Sequence, residues 1–339
     1  MGVFMRYKTL TIIIALVLAI CGCQKKRTEK FMPPNDLDKE DITKLPQEVF
    51  DDQAVTKEFF FETMQLFQET YSPIISQLGG QLVINGDWED STVNAQAGQA
   101  NGIWTVLMFG GLARRSEITK DGFIMVGCHE IGHHLGGYPF YANSWGSTEG
   151  NSDYFAGFSC ARYLWRDELE ANAKFRNVVP NRPKKECDSV WLDQSDRDLC
   201  YRIMMAAKST TSLLAALTGT TVSFNRKDIS EVGKTVESHP RAQCRLDTYM
   251  AAAVCINEWD EDLIPGKDLF PNQNSSEAEE IANSVSCSRF FGFQQGLRPL
   301  CWYKPQTETD LDILDNRELA LNENQDVSFV CFGEHGHNH

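Results

Sequence analysis

The chain has 339 residues, 42% of them hydrophobic and 23% charged, enough to bury a full-sized core, which excludes a disordered tail, a collagen-like repeat and a mini-protein. Lys and Arg number 32 against 47 Asp and Glu, and a formal charge of −15 repels phosphates at long range, which argues against DNA or RNA as a partner. Eleven cysteines are many for a reducing cytosol and point to export.

Arg6 and Lys8 precede the apolar run Thr9 to Ile20, too short to span a bilayer comfortably but suited to the core of a signal peptide, here residues 1–22. An uncleaved membrane anchor is the alternative. The segment Ile20-Cys21-Gly22-Cys23-Gln24 resembles a bacterial lipobox, in which a small residue precedes the cysteine that receives lipid. Cys23 follows Gly22 and fits; Cys21 follows bulky Ile20 and does not. Several acyl chains on Cys23 would hold a soluble body on a membrane, each buried methylene adding about 0.8 kcal/mol. Without residues 1–22 the chain keeps 30 basic and 47 acidic residues. Residues 23–50 mix charges with Pro33, Pro34 and Pro46 and show no apolar period, which predicts a lipidated flexible tether.

From Val55 to Leu78, Phe59, Phe60, Met64, Phe67, Tyr71 and Ile74 recur at three- and four-residue steps, which predicts a helix ending before Gly79-Gly80. Gln81 to Arg115 is rich in Val, Ile, Trp and Gly, with turn signals at Asn85-Gly86 and Asn101-Gly102; short strands are expected, most clearly Ile103 to Phe109. Helices are expected over 121–137 and 148–171, a polar excursion over 176–198, then helices over 198–217 and 240–259. After Cys301 the chain turns acidic and ends Gly-Glu-His-Gly-His-Asn-His, read as a poorly packed tail over 303–339 whose His335, His337 and His339 are either solvated or scavenge metal. The folded domain is therefore placed at 51–302.

His129-Glu130-Ile131-Gly132-His133 has the HExxH form, which on a helix stacks two imidazoles one turn apart where both reach one ion. A hydrolytic zinc site needs a third protein ligand and an open position, because four protein ligands leave no room for water. Fifteen residues separate His133 from Glu149, and Asp153 follows at helical i, i+4 spacing on the same face. His129, His133 and Glu149 are the expected Zn2+ ligands. Asp153 is assigned to hold an imidazole through its other ring nitrogen, His129 before His133. Glu130, about 100° around the helix from His129, is placed to take a proton from the attacking water. His134 points off the ligand face and is expected to cap the helix or face solvent. Tyr138, Phe140 and Trp145 either shape a subsite or pack over the metal.

These residues resemble the gluzincin group of zinc metallopeptidases, whose hallmark is HExxH followed by a ligand glutamate with an aspartate four residues later. Within it, Val93-Asn94-Ala95, then Ile103 to Phe109 leading into Gly110-Gly111-Leu112, then the HExxH helix, is similar to the HtpX-type and CAAX-prenyl-protease-type family, with Ser238-His239-Pro240 and Arg245 matching its later elements. The likeness covers roughly residues 55–260. It implies an α+β zincin-like fold, mostly helical with a small mixed β-sheet beside the HExxH helix. It also implies an edge strand at 103–109 that takes an extended peptide substrate by strand addition. His239 would then lie near the metal as a catalytic residue that stabilises the oxyanion or fills the open position; the bare residues equally allow an ordinary helix start before Pro240. The interval between His133 and Glu149 is shorter than the family's, nearer thermolysin-like spacing, Ser152 replaces an alanine, and 167–238 is long.

The expected whole is a zinc metalloendopeptidase of the cell envelope, lipid-anchored to a membrane and acting on a peptide or protein substrate. The alternative is a catalytically silent zincin-fold binding or assembly protein. Nine cysteines remain besides Cys21 and Cys23, an odd number. Cys187 with Cys200 and Cys287 with Cys301 could close small loops, whereas Cys244 and Cys255 on one helix stand about 16 Å apart, beyond disulfide reach. Cys128 is expected to be buried.

Overall fold

A computed structural model describes residues 28–37 and 53–306. The helical spacing after Val55 produces α1 (Lys57–Gln77), with Phe60, Met64, Phe67, Tyr71 and Ile74 buried on one side. Thr56 caps it, its side-chain oxygen accepting from the Phe59 amide at 3.2 Å, one of the amides that a helix start leaves unpaired. Four strands, β1 (Thr28–Lys30), β2 (Gln81–Asp87), β3 (Ala95–Ala100) and β4 (Ile103–Phe109), form one mixed sheet in the order β1-β3-β4-β2. β3 and β4 are an antiparallel hairpin turning at Asn101-Gly102, β2 runs parallel to β4, and β1 runs antiparallel to β3.

Three expectations change here. β4 is not an edge strand: the hairpin partner β3 flanks it on one side and β2 on the other. Asn85-Gly86 is no turn but lies inside β2, where a Cβ on Gly86 would come within 2.5 Å of the Phe60 ring, so α1 can approach only a glycine. The predicted tether over 23–50 is ordered in part, because residues 28–37 supply β1 and then bury Phe31 and Met32 completely and Leu37 almost so. Two large apolar side chains among charges make no period, yet each contributes roughly 1.5–3 kcal/mol when buried.

The helices follow the sheet. After the short α2 (Gly110–Ala113) comes α3 (Lys120–Leu135), whose residues from Asp121 to Leu135 are all buried between the sheet and the helices around it. The predicted helix over 148–171 is divided into α4 (Glu149–Phe155), a π-helical turn (Ala156–Cys160), α5 (Ala161–Trp165) and α6 (Leu169–Ala173). The supposed excursion over 176–198 contains α7 (Asn181–Val190), which reads as polar because only Pro183 and Cys187 are buried. α8 (Gln194–Ala216), α9 (Ala242–Ala253) and α10 (Ser276–Ser284) complete a mostly helical α+β fold. Arg202 of α8 anchors α3 by a bidentate pair with Asp121, at 2.8 and 3.0 Å. Packing runs past the predicted boundary at 302: Tyr303 is buried and Gln306 donates to Glu279 and Tyr138.

Among the described residues four disulfides link Cys128 to Cys160, Cys187 to Cys200, Cys244 to Cys301 and Cys255 to Cys287. Cys187 pairs as the spacing suggested. Cys287 and Cys301 do not join each other, because each reaches back to a different end of α9. Such a set fits an oxidising compartment outside the cytoplasm. No described helix is long and apolar enough to cross a membrane. The expected signal peptide over 1–22, the expected lipidation at Cys23 and the histidine-ended terminus lie outside the described residues.

Candidate metal centre

α3 and α4 cross with their chemistry face to face. They come this close because Gly132, inside the HExxH stretch, has no side chain: a Cβ there would meet the backbone of Ser152 at 2.8 Å. The approach brings Glu149, the first residue of α4, over the two imidazoles of α3. Glu149 Oε2 is 3.3 Å from His129 Nε2, and Glu149 Oε1 is 3.7 Å from His133 Nε2. One ligand atom from each of the three residues lies within 4.8 Å of the other two.

The other ring nitrogens are spoken for. His129 Nδ1 is 2.8 Å from Asp153 Oδ1, and His133 Nδ1 is 2.8 Å from the Ser147 carbonyl and 3.0 Å from Ser152 Oγ. Each imidazole is thereby oriented with its Nε2 lone pair inward. His129 Nε2, His133 Nε2 and Glu149 Oε2 are buried without a hydrogen-bond partner. Unmatched buried polar atoms are costly, and three of them converging is what a bound cation resolves. The separations suit one: ligand atoms about 2.0–2.1 Å from a tetrahedral zinc stand roughly 3.3 Å from each other. Two imidazoles and a carboxylate with no thiolate is a donor set that zinc accepts.

Asp153 is the hub behind the ligands. Arg245 of α9 grips it twice, Nε at 2.6 Å from Oδ2 and Nη2 at 2.7 Å from Oδ1, and the Tyr249 hydroxyl donates to Oδ1 at 2.6 Å. Burial would raise the Asp153 pKa, but Arg245 and His129 hold it below the usual carboxylate range. Burial favours neutral His129, yet the Asp153 carboxylate outweighs it and the imidazole is pushed up to about 9. For His133 burial prevails over Glu149, and the pKa falls to about 3. Glu149 is held low against its own burial by the closeness of the His129 and His133 imidazoles. Glu130, completely buried with neither oxygen hydrogen-bonded, is pushed well above the ordinary carboxylate range by burial, with the Glu149 charge adding to the rise against the pull of His129.

His239 does approach the centre: its Nε2 is 3.5 Å from Glu149 Oε1 and 2.7 Å from the Lys30 carbonyl oxygen. His134 neither caps nor faces solvent. It is 1% exposed, stacked between Trp104 and Trp145, with Nε2 at the Thr105 carbonyl and Nδ1 at Gln99, so it ties α3 to the sheet. Trp145 is thus a packing residue, as are buried Tyr138 and Phe140. Spacing did not single out Tyr141, whose hydroxyl donates to Glu149 Oε1 at 2.7 Å, Tyr249, or Phe31, whose ring stands edge-on to His129 with centroids 5.2 Å apart. Tyr141 had a legible signal in its place between the two ligand helices; Phe31 had none.

No family model, no curated protein and no solved structure matches this chain.

Proposed function

We propose that the protein is a zinc metalloendopeptidase of the gluzincin kind, similar to the HtpX-type and CAAX-prenyl-protease-type family, exported and lipid-anchored at Cys23 in the cell envelope. The observation that carries this is the convergence of three unpartnered buried ligand atoms with the unpartnered Glu130 carboxylate one residue along the same helix. When bound by His129, His133 and Glu149, zinc supplies a Lewis acid that polarises a peptide carbonyl and eases deprotonation of water.

The chain's own residues do the rest. Glu130 takes a proton from the water as its oxygen adds to the carbonyl carbon, and hands that proton to the departing amine nitrogen as the C–N bond breaks. His239 Nε2, which already engages a backbone carbonyl, is placed to donate to the carbonyl oxygen as negative charge gathers there. Asp153, Arg245 and Tyr249 fix the His129 ring so that its Nε2 does not wander.

A silent zincin-fold binding protein remains the second reading, favoured by one observation: His129, Glu130, His133 and Glu149 are each at most 1% exposed. Glu130→Gln separates the two. The hydrolase reading predicts undiminished zinc content with peptide-library cleavage reduced by about 10²–10⁴, the usual contribution of a general base. A wild-type protein that binds zinc and cleaves nothing in that library would favour the scaffold.

A further inference from the structure

The residues of the candidate metal centre are buried, and β1, at one edge of the sheet, leads into residues that pack against them. Residues 28–32 lie antiparallel to β3 at the outer side of the sheet, Thr28 opposite Gly98 and Lys30 opposite Gln96. The ladder continues beyond β1: the Phe31 amide donates to the Ala95 carbonyl at 3.1 Å. Asn94 then clamps the next residue by its backbone alone, accepting from the Met32 amide and donating to the Met32 carbonyl, both at 3.0 Å. A side-chain amide that reads one donor and one acceptor of an extended chain recognises any peptide, whatever its side chains.

The same segment touches His129, Arg245 and His239. Phe31 stands against His129, its carbonyl accepts from Arg245 Nη1 at 2.9 Å, and the Arg245 guanidinium lies over its ring. The Lys30 carbonyl, which belongs to the peptide bond joining Lys30 to Phe31, faces away from β3 and accepts from His239 Nε2, the group that also neighbours the ligand carboxylate. On the far side of Pro33 to Leu37 opens a groove of about 1090 Å³, and His239 and Arg245 line it as well. The segment therefore runs from the edge of His129 at Phe31 to the wall of an open groove at Pro33 to Leu37.

Resting on the hydrolase reading, we infer that residues 28–37 are a tethered substrate mimic: they fill the peptide cleft in the resting protein, and true substrates enter as extended peptides in the same strand position. A substrate pairs its backbone with β3 and Asn94, presents a carbonyl to His239, and carries a large apolar side chain just after that carbonyl, where Phe31 sits. Displacing the segment opens the groove to the ligands. The chain regulates itself by competition, and a binding partner or surface that draws the segment away raises activity.

The test uses the zinc-loaded full chain in three forms: wild type, Phe31→Ala, and Lys30→Cys/Gln96→Cys oxidised to lock β1 on β3. The probe is a fluorescent synthetic peptide with the sequence of residues 28–37, followed by anisotropy, alongside cleavage of a peptide library. The peptide is expected to bind Phe31→Ala at least tenfold more tightly than wild type and not to bind the locked form. Cleavage should rise at least tenfold in Phe31→Ala, fall again when the peptide is added, and be abolished by the lock. A peptide carrying alanine in place of its phenylalanine should do neither. A locked protein that cleaves at the wild-type rate would overturn the inference while leaving the hydrolase reading intact. Peptide binding to Phe31→Ala without cleavage in any form would overturn the hydrolase reading and uphold the displaceable strand.

Discussion

The acid–base arrangement turns on single side chains, and Asp153 is the most exacting of them. It receives His129, Arg245 and Tyr249 at once, so it both fixes the ligand ring and balances a buried guanidinium. Asp153→Ala should weaken zinc binding about 10–100-fold, the usual effect of losing a partner behind a ligand, as read by competition with a calibrated chelator. It should also lower stability by about 3–5 kcal/mol in urea denaturation, because Arg245 is left buried and uncompensated. An unchanged zinc affinity would show that His129 holds its orientation by packing. At this scale the spacing of His129, His133, Glu149 and Asp153 made their convergence legible, since helical periodicity fixes what i and i+4 share. Arg245 is 92 residues from the aspartate it grips, and no local pattern encodes that. Phe31 was hidden for the same reason, one aromatic ring in a charged stretch.

Elements meet at this site only where the sequence leaves room. Gly132→Ala adds a methyl where 2.8 Å separates it from the Ser152 backbone, so α3 and α4 must part by several tenths of an ångström and Glu149 moves with α4. The variant should remain folded and lose zinc affinity; full affinity would show that α4 can slide without moving its carboxylate. Arg202→Ala removes the partner of buried Asp121 at the start of α3 and should cost about 3–5 kcal/mol by the same denaturation measurement. The long elements were legible for different reasons: α1 sustains a helical apolar period, while β4 is a short run of Ile, Trp, Val, Leu, Met and Phe set off by Asn101-Gly102 and Gly110-Gly111. α7 was not: with two buried residues in ten it offers no face to detect, and its partner is a cysteine thirteen positions on. Sheet order was equally illegible, because β1 joins from a distant segment and the parallel pairing of β2 with β4 leaves no trace in either strand's pattern.

The described residues form a mostly helical body held by four disulfides around a candidate metal site. The Cys244–Cys301 bridge closes the longest interval, 57 residues, and fastens α9, which carries Arg245, to the last described segment. Replacing both cysteines by alanine should lower stability by about 4 kcal/mol, in keeping with the chain entropy that such a loop releases. If zinc is the cation of this site and binds only the folded chain, free zinc at a hundredfold its dissociation constant should add about 2.7 kcal/mol, seen as a rise in Tm that a chelator reverses. Where zinc binds decides whether His129, His133 and Glu149 are its ligands. X-ray absorption at the zinc edge of the stoichiometrically loaded protein should show two imidazole nitrogens and carboxylate oxygen at about 2.0–2.1 Å, with the carboxylate contribution lost in Glu149→Ala. A spectrum dominated by sulfur, or one indifferent to Glu149→Ala, would contradict it.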